Sequence, residues 1–270
     1  MAPPSSWQVY AHNQASASEN RIHDDTVAQR YGFRGGLVPG VTVYAYLVHP
    51  AIVDWGLEWL SQGTASADFR KPIYDGDLAR VEVTAEGPHA YQGAVIDPEG
   101  RTCATGQVSL TQDPGEAPKR RGDPPAPSGD ARPEATRATL ERLQSEGMGS
   151  VRAYWRGEPP WDRYSRALAE TAELVQPDGG GFANPAFTLG LANWVLAANV
   201  RLGPWIHAQS EVQNHAAIPL GSALDVEAQV VDLFEQKGHQ FVDLEVTAFL
   251  DSDRPAMRAH HRAIYRLRKP

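Results

Sequence analysis

SENRIHDDTVAQRYGFRGGLVPG, residues 18–40, joins a polar turn to the head of a long apolar helix. It places Asn20 and His23 one helical turn apart, upstream of a glycine-rich approach to a helix that Pro39 and Gly40 open. Asp24 to Tyr31 reads as a short helix with Val27 and Ala28 facing inward. Asp24 and Asp25 fall where negative charge complements exposed N–H groups and the helix dipole, so capping is their first role. Asn20 has a plain reading as a turn or cap residue, and a second as an amide held beside the His23 imidazole. Gly32, Gly35, Gly36 and Gly40 admit backbone conformations closed to other residues. Uncapped N–H groups at the helix entry suit an oxygen that gains negative charge. The Lys-Ser/Thr ending of a phosphate loop is missing.

Outward from this stretch, the order of elements repeats. In the first half a strand at Trp7 to His12 and the polar helix precede an apolar helix from Pro39. Strands at Ala65 to Tyr74, Leu78 to Glu86, Tyr91 to Asp97 and Thr102 to Thr111 follow. In the second half the matching series is a strand at Ser150 to Trp155, a helix at Trp161 to Leu174 and an apolar helix from Pro185. The strands after it are Ile206 to Ala216, Ala223 to Leu233, Gln240 to Leu250 and Ala256 to Leu267. Pro39 and Gly76 lie 37 residues apart, and Pro185 and Gly221 lie 36 apart. Proline suits a first helical turn and glycine the turn after a strand, so two such landmarks at matching offsets indicate duplication of one α+β unit.

Between the copies, residues 113–133 carry six prolines and three glycines and read as a linker. This divides the chain into units at 1–112 and 134–270. A polar helix is expected at Glu134 to Glu146, with Leu140 and Leu143 as its one apolar edge.

The chain has 270 residues, 41% hydrophobic content and a net charge of -8, which fits two domains with real cores and argues against a nucleic-acid or anionic-membrane surface. Its single cysteine, Cys103, excludes an intramolecular disulfide and a multi-cysteine zinc site, and a packed thiol is expected there. The start lacks the basic and apolar regions of a signal peptide, no Asn-x-Ser/Thr sequon occurs, and charges interrupt Leu37 to Leu60, so a cytoplasmic protein without a membrane span is expected. His260 and His261 are adjacent on a strand and face opposite ways, and with no HExxH set no metal is expected. His207 and His215 share strand parity and face the groove between the units. His49, beside Pro50, reads as a helix-break residue. Tyr44, Tyr46, Trp55 and Trp59 have the spacing of a packed helix face. No GxSxG elbow is present.

With these residues in place, the 15–45 region resembles the MaoC-like (R)-specific enoyl-CoA hydratases and dehydratases, a family with the hotdog fold. That family's signature is Gly-Asp-x-Asn-Pro-Leu/Ile-His, with an alanine further on and a helix entry ending His-Gly-Met. Here Asn20, Ile22, His23, Ala28 and Gly40 match, whereas Ser18, Arg21 and Pro39 depart. The resemblance implies a double hotdog, α+β, in which each unit wraps an antiparallel sheet around a long helix. It implies lyase chemistry on an enoyl or 3-hydroxyacyl thioester carried by CoA or an acyl carrier, with no cofactor.

By position His23 would be the acid/base, Asn20 its partner and Gly40 the oxyanion donor, with Ser18 standing where the family has an aspartate. Serine orients water but does not take up a proton near neutral pH. Arg34, Arg70 and Lys71 would meet a CoA or phosphopantetheine phosphate, with Gly36 and Tyr44 along the substrate; solvated basic residues at a sheet edge are the alternative for the three cations. Two other functions fit a hotdog lacking that aspartate: thioester hydrolysis, and non-catalytic acyl binding or a subunit role beside an active homologue. A further two-fold pairing would give a homodimer.

Overall fold

The apolar run after Pro39 forms α2 (Gly40–Gln62), whose buried residues occur on nearly every side, so this helix is enclosed rather than laid on a surface. The computed structural model describes residues 4–110, 115–127, 129–156, 172–176 and 178–268. The helix expected at Trp161 to Leu174 lies largely outside them. Before α2 come β1 (Trp7–Tyr10) and α1 (Asp25–Arg30), and after it β2 (Gly63–Phe69), β3 (Leu78–Ala85), β4 (Ala90–Ile96) and β5 (Thr102–Leu110). The second series is α3 (Arg137–Glu146), β6 (Val151–Tyr154), α4 (Pro185–Asn199), β7 (Ile206–Asn214), β8 (Ala223–Gln236), β9 (His239–Leu250) and β10 (Arg254–Arg266).

The ten strands of the described residues join one antiparallel sheet in the order β1-β3-β4-β5-β2-β7-β10-β9-β8-β6. Read from either edge, the sequence of equivalent strands is the same, with β2 and β7 meeting at the centre, Ala65 opposite Val212. α2 and α4 pack against each other, and one apolar core runs through both series, from Tyr44, Leu47 and Trp59 to Phe187, Leu191 and Val246. Burial of this kind stabilises by ~25 cal/mol per Å² of apolar surface, which is why both helices read as apolar almost all round.

Three details depart from the sequence reading. α2 runs through His49 and Pro50, and the non-helical residue is Gly56, at φ 54° and ψ -132°. His49 instead stacks on Trp7, ring centroids 3.8 Å apart. Within the 113–133 stretch, backbone N–H groups of Arg121, Gly122 and Asp123 all donate to the buried Glu227 carboxylate on β8, at 2.7 to 3.1 Å, so this segment is strapped to the sheet. Finally, Gln209 faces Arg262 and His207 faces Ala263, leaving Ala208 as the extra residue of a bulge. The bulge puts His207 on the inward face with Ser210, Val212 and Asn214, and breaks the parity expected between His207 and His215.

Candidate active site

Asn20 begins the site. Its Oδ1 accepts from Ile22 N, capping a 3-10 turn at Arg21–His23, and from Trp205 N at 3.2 Å. Its Nδ2 donates to Trp205 O at 3.0 Å and approaches His23 Nε2 at 3.3 Å. Two backbone N–H groups against Oδ1 fix the orientation of the amide, since the flipped form would set donor against donor. One side chain thus clasps the loop of the first series to the start of β7 and reaches the histidine. Both readings of Asn20, cap and imidazole partner, describe the same residue.

His23 Nδ1 lies 2.7 Å from Leu37 O. A carbonyl only accepts, so Nδ1 carries the proton and Nε2 presents a lone pair, into which the Asn20 amide points. Burial lowers the His23 pKa from its ordinary value, with the Leu37 carbonyl pulling the other way, and the ring is neutral at pH 7. Asp24 caps α1 through Val27 N, and Asp25 accepts from Gly36 N at 2.7 Å, so both acids serve the loop. A small apolar cluster of Ile22, Ala28 and Leu37, packed with Ile206 and Leu267, anchors the loop from below.

The head of α2 has no side-chain cap, because Pro39 occupies the cap position. Thr42 N and Val43 N both donate to Pro39 O, leaving the N–H groups of Gly40 and Val41 free as at any uncapped helix start. A Cβ at Gly40 would lie 2.8 Å from His207 Nδ1, so glycine is what lets the imidazole approach the helix.

A cavity of about 440 Å³ opens here, lined by His23, Asn20, Gly40, Arg70, Lys71 and His207 among others. A second, of about 320 Å³, is lined by Ser18, Glu19, Arg132 and Trp194. Asn20, His23, Pro39, Asn193 and Trp205 line both, so the two spaces meet at the histidine. Among the described residues no acid lines the larger of these two cavities, and in the smaller one Glu19 pairs with Arg132 at 3.2 Å.

Of the residues singled out from the sequence, Asn20, His23, Gly40, Arg70 and Lys71 come together around the larger cavity, and Ser18 lines the smaller with its hydroxyl 3.3 Å from Asn20 O. Arg34 lies elsewhere. Its guanidinium pairs with Asp77 at 2.5 Å and stacks 4.3 Å from the Tyr74 ring centroid, two contacts that hold it away from the cavity. Tyr44 is enclosed in the core, where burial raises its pKa, and Gly36 packs against the backbone carbonyl of His23. No local motif marks Asn193, whose buried Oδ1 has no partner, Trp205, or His239 and Arg268 at the rim. These come from the second series, and only the meeting of β2 with β7 brings them near His23.

Among the described residues no group of three or more His, Cys, Asp or Glu is placed to hold a metal ion, and no helix is long and apolar enough to cross a membrane. Cys103 is buried, which pushes its thiol up to about 12.

No protein-family model matches the sequence, and no curated protein matches it. Solved structures do. Rv0216 of Mycobacterium tuberculosis, described as having a double hotdog fold, is 15% identical with a TM-score of 0.61, over 98% of this chain and 96% of its own. The dehydratase domain of PpsC from Mycobacterium tuberculosis, solved with C12:1-CoA, is 13% identical with a TM-score of 0.56, over 97% and 93%. A MaoC-like dehydratase is 14% identical with a TM-score of 0.52, over 96% and 97%. At these identities the likeness is one of fold, and the chain is a double hotdog of the architecture that MaoC-like dehydratases share.

Proposed function

We propose that this protein is a hydratase or dehydratase acting on an acyl thioester, with His23 as its single acid/base. The observation that carries the reading is the His23 imidazole held neutral with Nε2 unprotonated, beside an uncapped helix head in a shared cavity. The binding of C12:1-CoA by the PpsC domain supports an acyl-CoA as the substrate type, and Arg70 and Lys71 at the rim offer charge for its phosphates.

In hydration, the attacking water displaces the long Asn20 Nδ2 contact at Nε2, which takes a proton from the water as the oxygen adds to the β-carbon of the enoyl thioester. The electrons move into the thioester carbonyl, where the Gly40 N–H stabilises the developing enolate. The imidazolium then returns that proton from Nε2 to the α-carbon, so water adds across one face and the base is regenerated. Elimination is the reverse. A site with one base performs both transfers because one nitrogen reaches both carbons, and no carboxylate is needed at Ser18. Leu37 O holds the ring through Nδ1, and Asn20 ties the loop that carries it to Trp205.

The test is conversion of crotonyl-CoA and of longer enoyl-CoAs, monitored together with free thiol. Hydration without thiol release supports the reading; thiol release identifies a hydrolase, and binding with neither outcome identifies an acyl-binding protein. His23→Ala should lower hydration by at least about 10²-fold, the low end of general-base contributions. Full activity in that variant would sink the mechanism.

A further inference from the structure

The segment joining the two units ends in an arginine that borders the site. Pro133 O accepts from Arg201 N at 2.7 Å, and Ala135 N donates to Arg201 O at 3.0 Å, which lays the end of the segment along the chain leaving α4. Arg132 is carried there into the lining of the smaller cavity, with its side chain 21% exposed. Its Nε donates to Gly129 O at 3.1 Å and its Nη1 to Ala197 O at 2.8 Å, one of the last carbonyls of α4. Nη1 also meets the Glu19 carboxylate at 3.2 Å, in the loop of the first unit. The guanidinium therefore spans both units, and its partner Glu19 is the neighbour of Asn20, which reaches His23.

Capping α4 accounts for Nη1, since a helix C-terminus favours a cation and its final carbonyls lack partners. It leaves Nη2 unexplained. That nitrogen carries two N–H groups, donates to nothing among the described residues and is not sealed off by protein. With the other two nitrogens anchored, it is held in place before anything binds, an arrangement that suits a carboxylate. Glu19 is a weak occupant, because its side chain is 81% exposed and an ion pair so open to water exchanges readily. Arg201, the other cation in this lining, is engaged with Glu134 at 3.3 Å. The larger cavity is cationic as well: Arg70, Lys71 and Arg268 line it, and none of them pairs with an acid among the described residues. His23 lies where the two cavities meet, and Val41, Trp194, Ala197 and Leu202 give the smaller one an apolar stretch of wall.

We propose that the smaller cavity receives the far end of the acyl chain and that Arg132 Nη2 binds a carboxylate there. The preferred substrates are then thioesters of dicarboxylic acids, with one carboxyl joined to the carrier and the other free. A carboxylate is the anion that fits, because the carrier's phosphates have cations of their own at the larger cavity. Such a molecule is anionic at both ends and apolar between them, as the joined space is cationic at both ends with an apolar wall between. The thioester rests on the function proposed above; the carboxylate site on Arg132 does not.

Isothermal titration calorimetry with saturated acyl-CoAs tests this without turnover. Succinyl-, glutaryl- and adipyl-CoA are compared with butyryl-, valeryl- and hexanoyl-CoA, which match them in carbon number and lack the free carboxylate. At least one dicarboxylic thioester should bind about tenfold or more tighter than its match, the low end for hydrogen bonds to a charged group. Arg132→Gln should abolish that preference and leave the monocarboxylic affinities unchanged. No preference in the wild type at any length overturns the site. So does an Arg132→Gln protein that loses affinity equally for both series, the behaviour of a residue that holds phosphate or only caps α4. If Arg132→Gln fails to fold, Glu19→Gln decides: it removes the competing carboxylate with the guanidinium in place and should widen the preference, and a preference that stays the same or narrows overturns the site. Hydration of crotonyl-CoA by a protein without the preference leaves the function proposed above standing and removes the site; a preference in a protein that hydrates no enoyl-CoA removes that function and upholds the site.

Discussion

Replacing Gly40 by alanine sets two effects of opposite sign against each other. Alanine is the better helix former by up to ~1 kcal/mol at an interior position, and Gly40 is the first residue of α2. The added Cβ, however, would lie 2.8 Å from His207 Nδ1 and 3.1 Å from that residue's Cβ and Cγ. His207 cannot swing aside, because Ser210 holds its far edge and the Phe69 and His261 rings lie 4.5 and 4.3 Å away, centroid to centroid. Forcing a methyl into such packing costs ~1–3 kcal/mol, and the propensity gain is smaller at a helix end, so destabilisation wins. For a chain of this size each kcal/mol moves the melting temperature by about 2–4 °C. Thermal unfolding of Gly40→Ala followed by circular dichroism should therefore show a fall of about 3–6 °C. Hydration of crotonyl-CoA should fall about 10²-fold, the sensitivity expected when a helix head is displaced by an ångström. A melting temperature equal to or above that of the wild type would refute the packing argument whatever the activity.

Gly56→Ala should also destabilise, for a different reason: the nearest atom to its Cβ, Leu174 Cδ2, is 4.0 Å away, so only the strain of φ 54°, ψ -132° counts, at ~1–3 kcal/mol; an unchanged denaturant midpoint would contradict this. Glu227→Gln removes the charge that accepts from Arg121, Gly122 and Asp123, and limited trypsinolysis should then cut faster after Arg120 and Arg121. The pH dependence of kcat/KM should fall on the acid side as His23 takes up a proton, with a midpoint below 6.5 because burial lowers its pKa. Stability follows the same direction. His49 and His261 have folded pKa values lowered to about 4 and about 3, so the unfolded chain binds more protons below 6.5 and stability should fall with pH from there, the loss levelling off near pH 4 for His49 and near pH 3 for His261. Ser18→Ala should keep activity within about threefold, since the hydroxyl touches the Asn20 carbonyl and not His23, and removing one such hydrogen bond costs ~0.5–1.5 kcal/mol of stability at most.

The parts of the fold written in local chemistry were legible in the sequence. Pro39 and Pro185 mark the heads of both long helices, where the structure begins α2 and α4. Leu140 and Leu143 on α3 are the buried edge of that helix, and of His260 and His261 only the second faces inward. Asn20 and His23 are readable as a pair because they lie three positions apart. What escaped depends on long-range register. Ser210 and His261 stand 51 positions apart, and the bulge at Ala208 inverts the alternation that a strand pattern assumes, so His207 shares its face with Ser210 and not with His215. The segment at 113–133 reads as linker from its prolines and glycines, while its anchor, Glu227, lies more than a hundred residues away. Arg34 had the composition of a phosphate ligand, and only the turn that brings Asp77 beside it shows where its charge is spent.

The two helix heads are unequal in a way that matters for how the fold is used. α4 opens on Pro185, which has no N–H, and its next donor, Ala186 N, is taken by Asn184 Oδ1 at 2.8 Å. The space beside it, bounded by Tyr44 and Trp59, is only about 20 Å³. The symmetry that would give a homodimer of single hotdogs two identical sites is thus cancelled in the covalent version: one unit keeps the open donors, and the other is free to vary without preserving a site of its own. Substitutions along β7 and α4 can reshape the wall of the cavity while leaving His23 and Gly40 untouched. A double hotdog of this kind can change what it accepts without first giving up what it does.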